Sequence, residues 1–420
     1  MIGIKLEKKK TMSITDEIKQ YPTPKTIYIP LLMGSNPNVV ACVGVGDSVK
    51  VGSKVAEVTK PFPLPIFSSV SGVVKEMTEV YSHQGMKVSA LAIENDGQEN
   101  CVFYEIPVLQ NRQDFVELLQ EKGIIGLSGN AFPTYKKYQG KENIKTLIVN
   151  GVECEPYITA DYMLMKCYAE KIIEGMQQIC AINHIEEVIL AIKVNNDEIR
   201  EIYQSKLKNN SLIRLVEVPN LYPMGWEKSL VQYIKHVDYK NLPIEKGIIV
   251  ENVGTVYAIY EAITKGKPLY ERVITFTGEE MKTPQNYWIK NGTLASDMIQ
   301  TIGLKPKEDL IFIAGGPMMG ESSPSEDMAL TGVTNCILVL PFRKDPVKTT
   351  CLRCGKCVQV CPVKISPILV KGNLEDVETL RKLHVDRCIG CGLCSYICPA
   401  KIPVRNYVRK AKEQLQGGKR

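Results

Sequence analysis

Eight cysteines between Cys351 and Cys398 carry the strongest chemical signal in this 420-residue sequence. They form two copies of one run, CLRCGKCVQVCP and CIGCGLCSYICP, each spaced C-x2-C-x2-C-x3-C-P. Thiolates at that spacing hold cubane [4Fe-4S] clusters, three from one run and the fourth from the other. The first expected cluster therefore takes Cys351, Cys354, Cys357 and Cys398, and the second takes Cys388, Cys391, Cys394 and Cys361. The crossing ties the two runs together. Pro362 and Pro399 end each run, and Gly355, Gly390 and Gly392 let the backbone turn closely around an inorganic core. Zinc is disfavoured, because its sites present C-x2-C pairs about a dozen or more residues apart. Disulfides are disfavoured by the crowding of the thiols and by the absence of any secretory feature.

The composition narrows the setting. The N-terminus, MIGIKLEKKKTM, has charge but no apolar h-region, so it does not read as a signal peptide, and Met12 is an alternative start. The longest apolar stretch, GVTNCILVLPF, is interrupted by Asn335 and Pro341 and falls short of the roughly 18 residues of a spanning helix, so no direct membrane span is expected. Fourteen cysteines without an export signal imply a reducing compartment. Of the six outside the two runs, Cys42, Cys101, Cys154, Cys167, Cys180 and Cys336, most are expected to be small buried hydrophobes. The net charge of +6 hides an asymmetry: residues 341–420 hold 17 Lys+Arg against 6 Asp+Glu, a balance of +11, and the remainder sums to −5. Part of the excess offsets anionic clusters, and the rest can steer an acidic redox partner. Nucleic acid is excluded as a partner, since no helix-turn-helix, zinc finger or aromatic-basic interleaving is present.

These residues need elements to position them, and the length favours about two to four domains. Residues 23–100 read as all-β, with VGVGDSVKVGSKVAEV alternating between Gly-Asp and Gly-Ser turns and SSVSGVVKEM following. This pattern resembles the barrel-sandwich hybrid of biotinyl and lipoyl domains but lacks the Met-Lys-Met hairpin, so a structural barrel is expected rather than a carrier. His83 reads as an ordinary loop histidine.

From about residue 112 the period becomes helical. DFVELLQEKG predicts an amphipathic helix ended by Gly123, and IIGLSGNAFPTYKKY a glycine-bearing loop entering a helix, a device that presents N–H groups to phosphate. The strand KTLIVN ends at Asn150, and Glu153 and Glu155 follow it where a strand's carboxyl end meets a ligand crevice. They can hold ribityl hydroxyls or orient a nicotinamide; the alternative is a solvated loop broken by Pro156. EEVILAIKV and IRLVEVP read as strands of a parallel sheet separated by a helix near Asp197–Leu207. KGIIVENVGTVYAIYEAITKGKP gives another strand, a turn at Asn252–Thr255 and a helix. Residues from about 268 to 335 return to a small α+β pattern, in which GGPMMG is a tight turn whose glycines need mean only φ > 0.

The order GLSGNAFPT, NGVECEP, YPMGWEK, NVGT, TGEE, GGPMMG and the two cysteine runs resembles the RnfC component of the Rnf ion-translocating electron-transport complex, over about residues 23–410. The same architecture occurs in soluble relatives, cobalamin reductase of microcompartments and the electron-transfer protein associated with proline reductase. The resemblance implies a multidomain chain of mixed α/β and α+β class. Its parts would be a barrel-sandwich hybrid at 23–100, an α/β domain at 112–267 similar to the flavin subunit of respiratory complex I, a soluble-ligand-binding β-grasp domain (SLBB) at 268–340, and a two-cluster ferredoxin domain at 341–410. It also implies FMN and NAD(H) as cofactors beside two [4Fe-4S] clusters, with Gly126, Gly129, Phe132, Thr134, Lys137, Asn150, Glu153, Glu155 and Asn252 as the flavin and nucleotide residues.

Two departures stand out: Ser128 and Asn130 where GLGGA is usual, and Trp226 where the family usually has Gly. Ser128 is expected to strain the loop if it takes φ > 0, and Trp226 either to stack on a ring or to fill the pocket. Implied too are partners among the other electron-transport subunits at the membrane, or a soluble redox protein, and a cytoplasmic location, peripheral on the inner face of the cell membrane. The two functions that follow are an NAD-linked electron-transfer subunit and a soluble carrier serving a dedicated reductase without its own NADH site.

Overall fold

A computed structural model describes residues 3–129, 131–140, 143–306, 309–344 and 346–417. Asn130, one of the two expected loop departures, lies outside them. After β1 (Lys19–Gln20), the alternating segment forms β2 (Thr26–Pro30), β3 (Val39–Ala41), β4 (Ser48–Val49), β5 (Lys54–Val58), β6 (Leu64–Phe67), β7 (Gly72–Tyr81) and β8 (Lys87–Asn95). Two antiparallel sheets, ordered β2-β8-β7-β4 and β3-β5-β6, face one another. One residue in two points inward, so Ile27, Ile29, Val49, Val55, Leu91 and Ile93 meet in a single apolar core.

The helical period begins at α1 (Arg112–Glu121), whose cap Asn111 accepts from the N–H groups of Gln113 and Asp114. The helix after the glycine loop, α2 (Tyr135–Tyr138), is a single turn. Next come β9 (Thr146–Asn150), α3 (Ala160–Cys167), α4 (Ala169–Asn183), β10 (Glu187–Lys193), α5 (Asp197–Lys206), β11 (Ile213–Val218), α6 (Glu227–Lys235), β12 (Ile248–Asn252) and α7 (Val253–Lys265). The four strands form a parallel sheet in the order β11-β10-β9-β12. It is apolar on both faces because helices cover both: Leu147, Val149 and Leu190 pack toward α4 and α7, and Ile148, Ile189 and Val250 toward Leu230 and Val231 of α6. The expected turn at 252–255 is absent, since Asn252 ends β12 and itself caps α7 by accepting from Gly254 N–H at 2.8 Å.

The third sheet contains β13 (Glu271–Thr277), β14 (Gln285–Lys290), β15 (Leu310–Ala314), β16 (Glu321–Ser323) and β17 (Cys336–Pro341), with α8 (Ala295–Ile302) packed on its core through Met298 and Ile302. Its order is β1-β14-β13-β17-β15-β16, so the N-terminal β1 forms its edge. The cysteine runs end the chain among α9 (Lys356–Gln359), α10 (Pro367–Gly372), α11 (Val377–Lys382), α12 (Leu393–Tyr396) and α13 (Val404–Gly417) around a core of Val363, Val370, Leu380, Val385 and Val404. Among the described residues no helix is long and apolar enough to cross a membrane.

The expectation that most cysteines outside the runs are buried is corrected. Cys42, Cys101 and Cys167 are exposed, Cys154 is half-buried, and only Cys180 and Cys336 lie in the core. Cys42 follows the end of β3 and Cys167 ends α3, while Cys101 bridges to Val51 beyond β8.

Candidate functional site

Strands β9 and β12 are neighbours although four α-helices and two strands separate them in sequence, so the connections leave the sheet in opposite directions between them. Ligands bind parallel sheets at such a reversal, outside the carboxyl ends of the strands. The two terminal residues, Asn150 and Asn252, are register partners there. A cavity of about 800 Å³ opens beside them, within the range of small-molecule sites. Of the nine residues expected to serve a flavin or nucleotide, Gly126, Gly129, Phe132, Lys137, Asn150, Glu153, Glu155 and Asn252 line it. Thr134 does not: it is buried behind the loop, its N–H bonded to Ile124 O at 3.0 Å.

The loop is held from several sides. Gly126 N–H donates to Phe132 O at 2.8 Å, Leu127 N–H to Thr255 Oγ1 at 3.0 Å, and Leu127 O accepts from the buried Arg272 at 3.1 Å. Gly129 has φ +105 and no atom within 4 Å of the position a Cβ would take, so its backbone is open for close approach. The strain expected at Ser128 does not arise, for its φ is not left-handed and its side chain is exposed. Lys137 is committed to Val250 O at 2.6 Å and Glu251 at 3.0 Å.

The polar residues at the strand ends are largely engaged with the protein. Asn150 donates to Gly225 O at 2.8 Å, fastening the YPMGWEK turn to β9, and Asn252 donates to Asp161 at 2.7 Å. Glu153, at φ +33, accepts from Lys10 at 2.9 Å and from Asp161 N–H at 2.8 Å, and Lys193 reaches its carbonyl at 3.2 Å. Glu155 differs. Its Oε2 accepts from Met318 N–H at 3.2 Å, but its Oε1 is buried without a partner. Burial pushes its carboxyl up to about 7. Burial, and then the nearby Glu153, push Asp161 to about 7 as well. Burial lowers Lys193 to about 7, with Lys10 adding to the effect. Lys10, Asp161 and Lys193 were not anticipated; Asp161 was detectable only as an acid in the first turn of a helix.

The opposite wall comes from other domains. The turn GGPMMG supplies Gly315, Gly316 and Gly320, and φ is not the whole reason for glycine there: a Cβ on Gly316 would lie 2.4 Å from Glu155 Oε2. His83, read as an ordinary loop histidine, lines the cavity from the barrel domain. So do Cys388, Ile389 and Lys412 of the cluster domain. Trp226 caps α6 and lines the cavity, while packing against Tyr222, Cys391 and Leu393. The indole thus sits between the cavity and the second cysteine run without closing the cavity, and Tyr222 OH donates to Cys391 O at 2.6 Å.

Within the cluster domain, Cys361, Cys388, Cys391 and Cys394 wall one small cavity together. Burial and then Cys388, Cys361 and Cys357 push the Cys394 thiol up to about 12, and burial and then Cys394, Cys388 and Cys361 do the same for Cys391. These mutual effects place the thiols close together, as the ligands of one cluster must be. Cys351 and Cys354 similarly neighbour Cys357. The bond from Thr349 N–H to Ala400 O, 3.1 Å, brings the chain beside Cys351 next to the chain beside Cys398. Among the described residues no three of His, Cys, Asp or Glu group tightly enough for a single ion; a cubane gives each thiolate its own iron. The residues present therefore fit both groups: the open glycine backbone and orphaned Glu155 oxygen a flavin-sized ligand, and the thiol-walled cavity a cluster.

Three family models match in order: the RnfC barrel sandwich hybrid domain at residues 1–98, the Nuo51 FMN-binding domain at 119–261 and the 4Fe-4S dicluster domain at 345–412. The RnfC component of the ion-translocating oxidoreductase complex of Salmonella arizonae is 35% identical over 98% of this chain and 63% of that protein. Its counterparts in Pectobacterium atrosepticum and Serratia proteamaculans are 34% and 33% identical over 99% and 87% of this chain, and 62% and 53% of theirs. The chain thus spans less than two thirds of the length of these relatives. Crystal structures of an NAD+-reducing [NiFe]-hydrogenase, air-oxidized and H2-reduced, share the fold with TM-scores of 0.52 and 0.51 at 18% and 17% identity, over 73% and 74% of this chain and 63% and 64% of theirs. With the barrel, the flavin-type α/β domain and the paired cysteine runs in this order, the chain belongs to the RnfC-like family.

Proposed function

We propose that this chain is an electron-transfer subunit that exchanges electrons between NAD(H) and a membrane-bound Rnf-type complex, using FMN in the large cavity and two [4Fe-4S] clusters in the C-terminal domain. The observation that carries this reading is the shared wall: one cavity is lined by the open Gly129 backbone and Glu155 on one side and by Cys388 and Ile389 of the second run on the other. FMN, when bound, supplies the exchange between two-electron and one-electron chemistry. The chain's residues do the rest. The open backbone at Gly129 lets an anionic end approach closely, Glu155 offers a free oxygen to a polar group of the ligand, and Trp226 excludes water between the cavity and the second run. Cys351, Cys354, Cys357 and Cys398 would hold the first cluster, and Cys388, Cys391, Cys394 and Cys361 the second. The working location would be cytoplasmic, peripheral on the inner face of the membrane.

Anaerobically reconstituted protein is expected to bind FMN at micromolar concentration or better and to bleach its cluster absorbance when NADH is added. Glu155→Gln should slow the bleaching at least tenfold while leaving cluster content unchanged. FMN binding with no response to NADH would instead favour a carrier that receives electrons from another protein, and failure to bind FMN would overturn the flavin reading.

A further inference from the structure

The two cysteine runs are folded alike and placed differently. The second is the more enclosed: Cys391 is 7% exposed, Leu393 is fully buried, and the run backs onto Tyr222 and Trp226 beside the large cavity. The first faces outward. Cys354 is exposed, Leu352 is 64% and Val358 38% exposed, and Arg353 and Lys356 project between the cysteines. The Thr349 to Ala400 bond aligns two further exposed lysines, Lys348 and Lys401, along the same edge. Among the described residues no acidic side chain forms an ion pair with Arg353, Lys356 or Lys401, although Arg405 and Arg409 of the same domain do pair, with Glu321.

We propose that the loop from Cys351 to Val358, edged by Lys348 and Lys401, is the docking face for a one-electron carrier protein with an acidic surface. This rests on the reading that clusters assemble in both runs, and is independent of the flavin. Electron transfer needs the donor centre close to the partner, and the first run is the more exposed of the two. A small apolar patch ringed by unpaired cations is the form of a transient redox contact, in which opposite charge sets the association rate and the contact stays small enough to separate. The domain's excess of +11 against −5 elsewhere orients an anionic partner toward this end of the molecule. An anionic lipid surface matches the charge but accepts no electron, so the cluster loop at the centre of the patch favours a protein. In the step itself one electron leaves the first cluster for the carrier's own centre; no bond forms or breaks, and no proton is needed.

The test uses holoprotein with an acidic plant-type [2Fe-2S] ferredoxin as probe. Association is measured by interferometry with both proteins oxidised, and transfer by stopped flow after dithionite reduction of the holoprotein. Raising salt from about 20 to 200 mM should weaken association about tenfold or more, because exposed charges are then screened beyond ~7 Å. Lys356→Glu and Lys401→Glu should each weaken association about fivefold to tenfold, whereas Lys208→Glu, an exposed lysine on the central domain, should change neither measurement. Lys401 lies outside both runs, so its variant keeps the test valid if Lys356→Glu disturbs cluster assembly. A full iron content with association unchanged in both loop variants, equal losses in Lys208→Glu, or binding only to vesicles one-third phosphatidylserine would overturn the docking face alone. Parent protein without iron would overturn the cluster reading as well.

Discussion

At the scale of single residues, Glu155 has the environment most suited to chemistry. Its carboxyl rests on the Met318 N–H and on the space left by Gly316, and one oxygen has no partner. Because burial raises it to about 7, the folded protein binds this proton more tightly than the unfolded chain does, and its contribution to stability falls as pH rises from about 4.5 to 7. Below that window the carboxyl is neutral in both states; above it the full cost of the buried charge is present, on the order of 3–4 kcal/mol. Flavin-free Glu155→Gln is therefore expected to match the parent in denaturant midpoint at pH 4.5 and to exceed it at pH 8. Equal stability at both pH values would show that the carboxylate is solvated in the cavity.

At the scale of elements, two pairings set the geometry. The register of β9 with β12 puts Asn150 and Asn252 at one sheet end, and the pairing of the two cysteine runs puts Cys361 beside Cys388, Cys391 and Cys394. Under the proposed assignment Cys398 would be the remote ligand of the first cluster. Cys398→Ser should lower iron from about eight to about four per chain, with the surviving electron paramagnetic resonance signal belonging to the second cluster. Loss of the second signal with retention of the first would reverse the assignment.

At the scale of the whole molecule, the segment before the barrel connects the domains. Ile4 bridges to Tyr222, Lys8 O accepts from Tyr157 N–H at 2.9 Å, Ser13 meets Thr159 at 2.8 Å and Asn286 at 2.7 Å, and β1 joins β14. Ile4, Lys8 and Lys10, ahead of the alternative start at Met12, are thus part of the packed structure. Lys10 is the critical contact, its side chain 9% exposed and that of Glu153 7%. Removing one member of a buried pair strands the other charge, at a cost of about 3–5 kcal/mol. Lys10→Ala should lose a comparable amount in urea unfolding, and Lys10→Met with Glu153→Gln should recover part of it. A loss under ~0.5 kcal/mol would mean that Glu153 is held by the backbone alone.

Much of this protein was legible from local pattern. Cysteine spacing, the alternation in β2–β8 and the apolar runs of β9, β10 and β12 depend on neighbours in sequence, and so do the turn glycines. The glycine loop and the acids after β9 were placed beside a crevice because parallel strands expose their carboxyl ends to ligands. What the sequence left open depends on contacts between distant segments. Lys10 lies 143 positions from Glu153, and the reason Gly316 must be glycine is a carboxylate from another domain. Thr134 stands in the motif but turns inward, and Trp226, which by type alone suited either stacking or blockage, packs toward the second cysteine run. Residue types and spacings by themselves determined which chemistry this chain is built for. Only the tertiary structure decided which polar groups remain free for a ligand and which cysteine run faces outward, because burial and pairing are properties of the assembled surface.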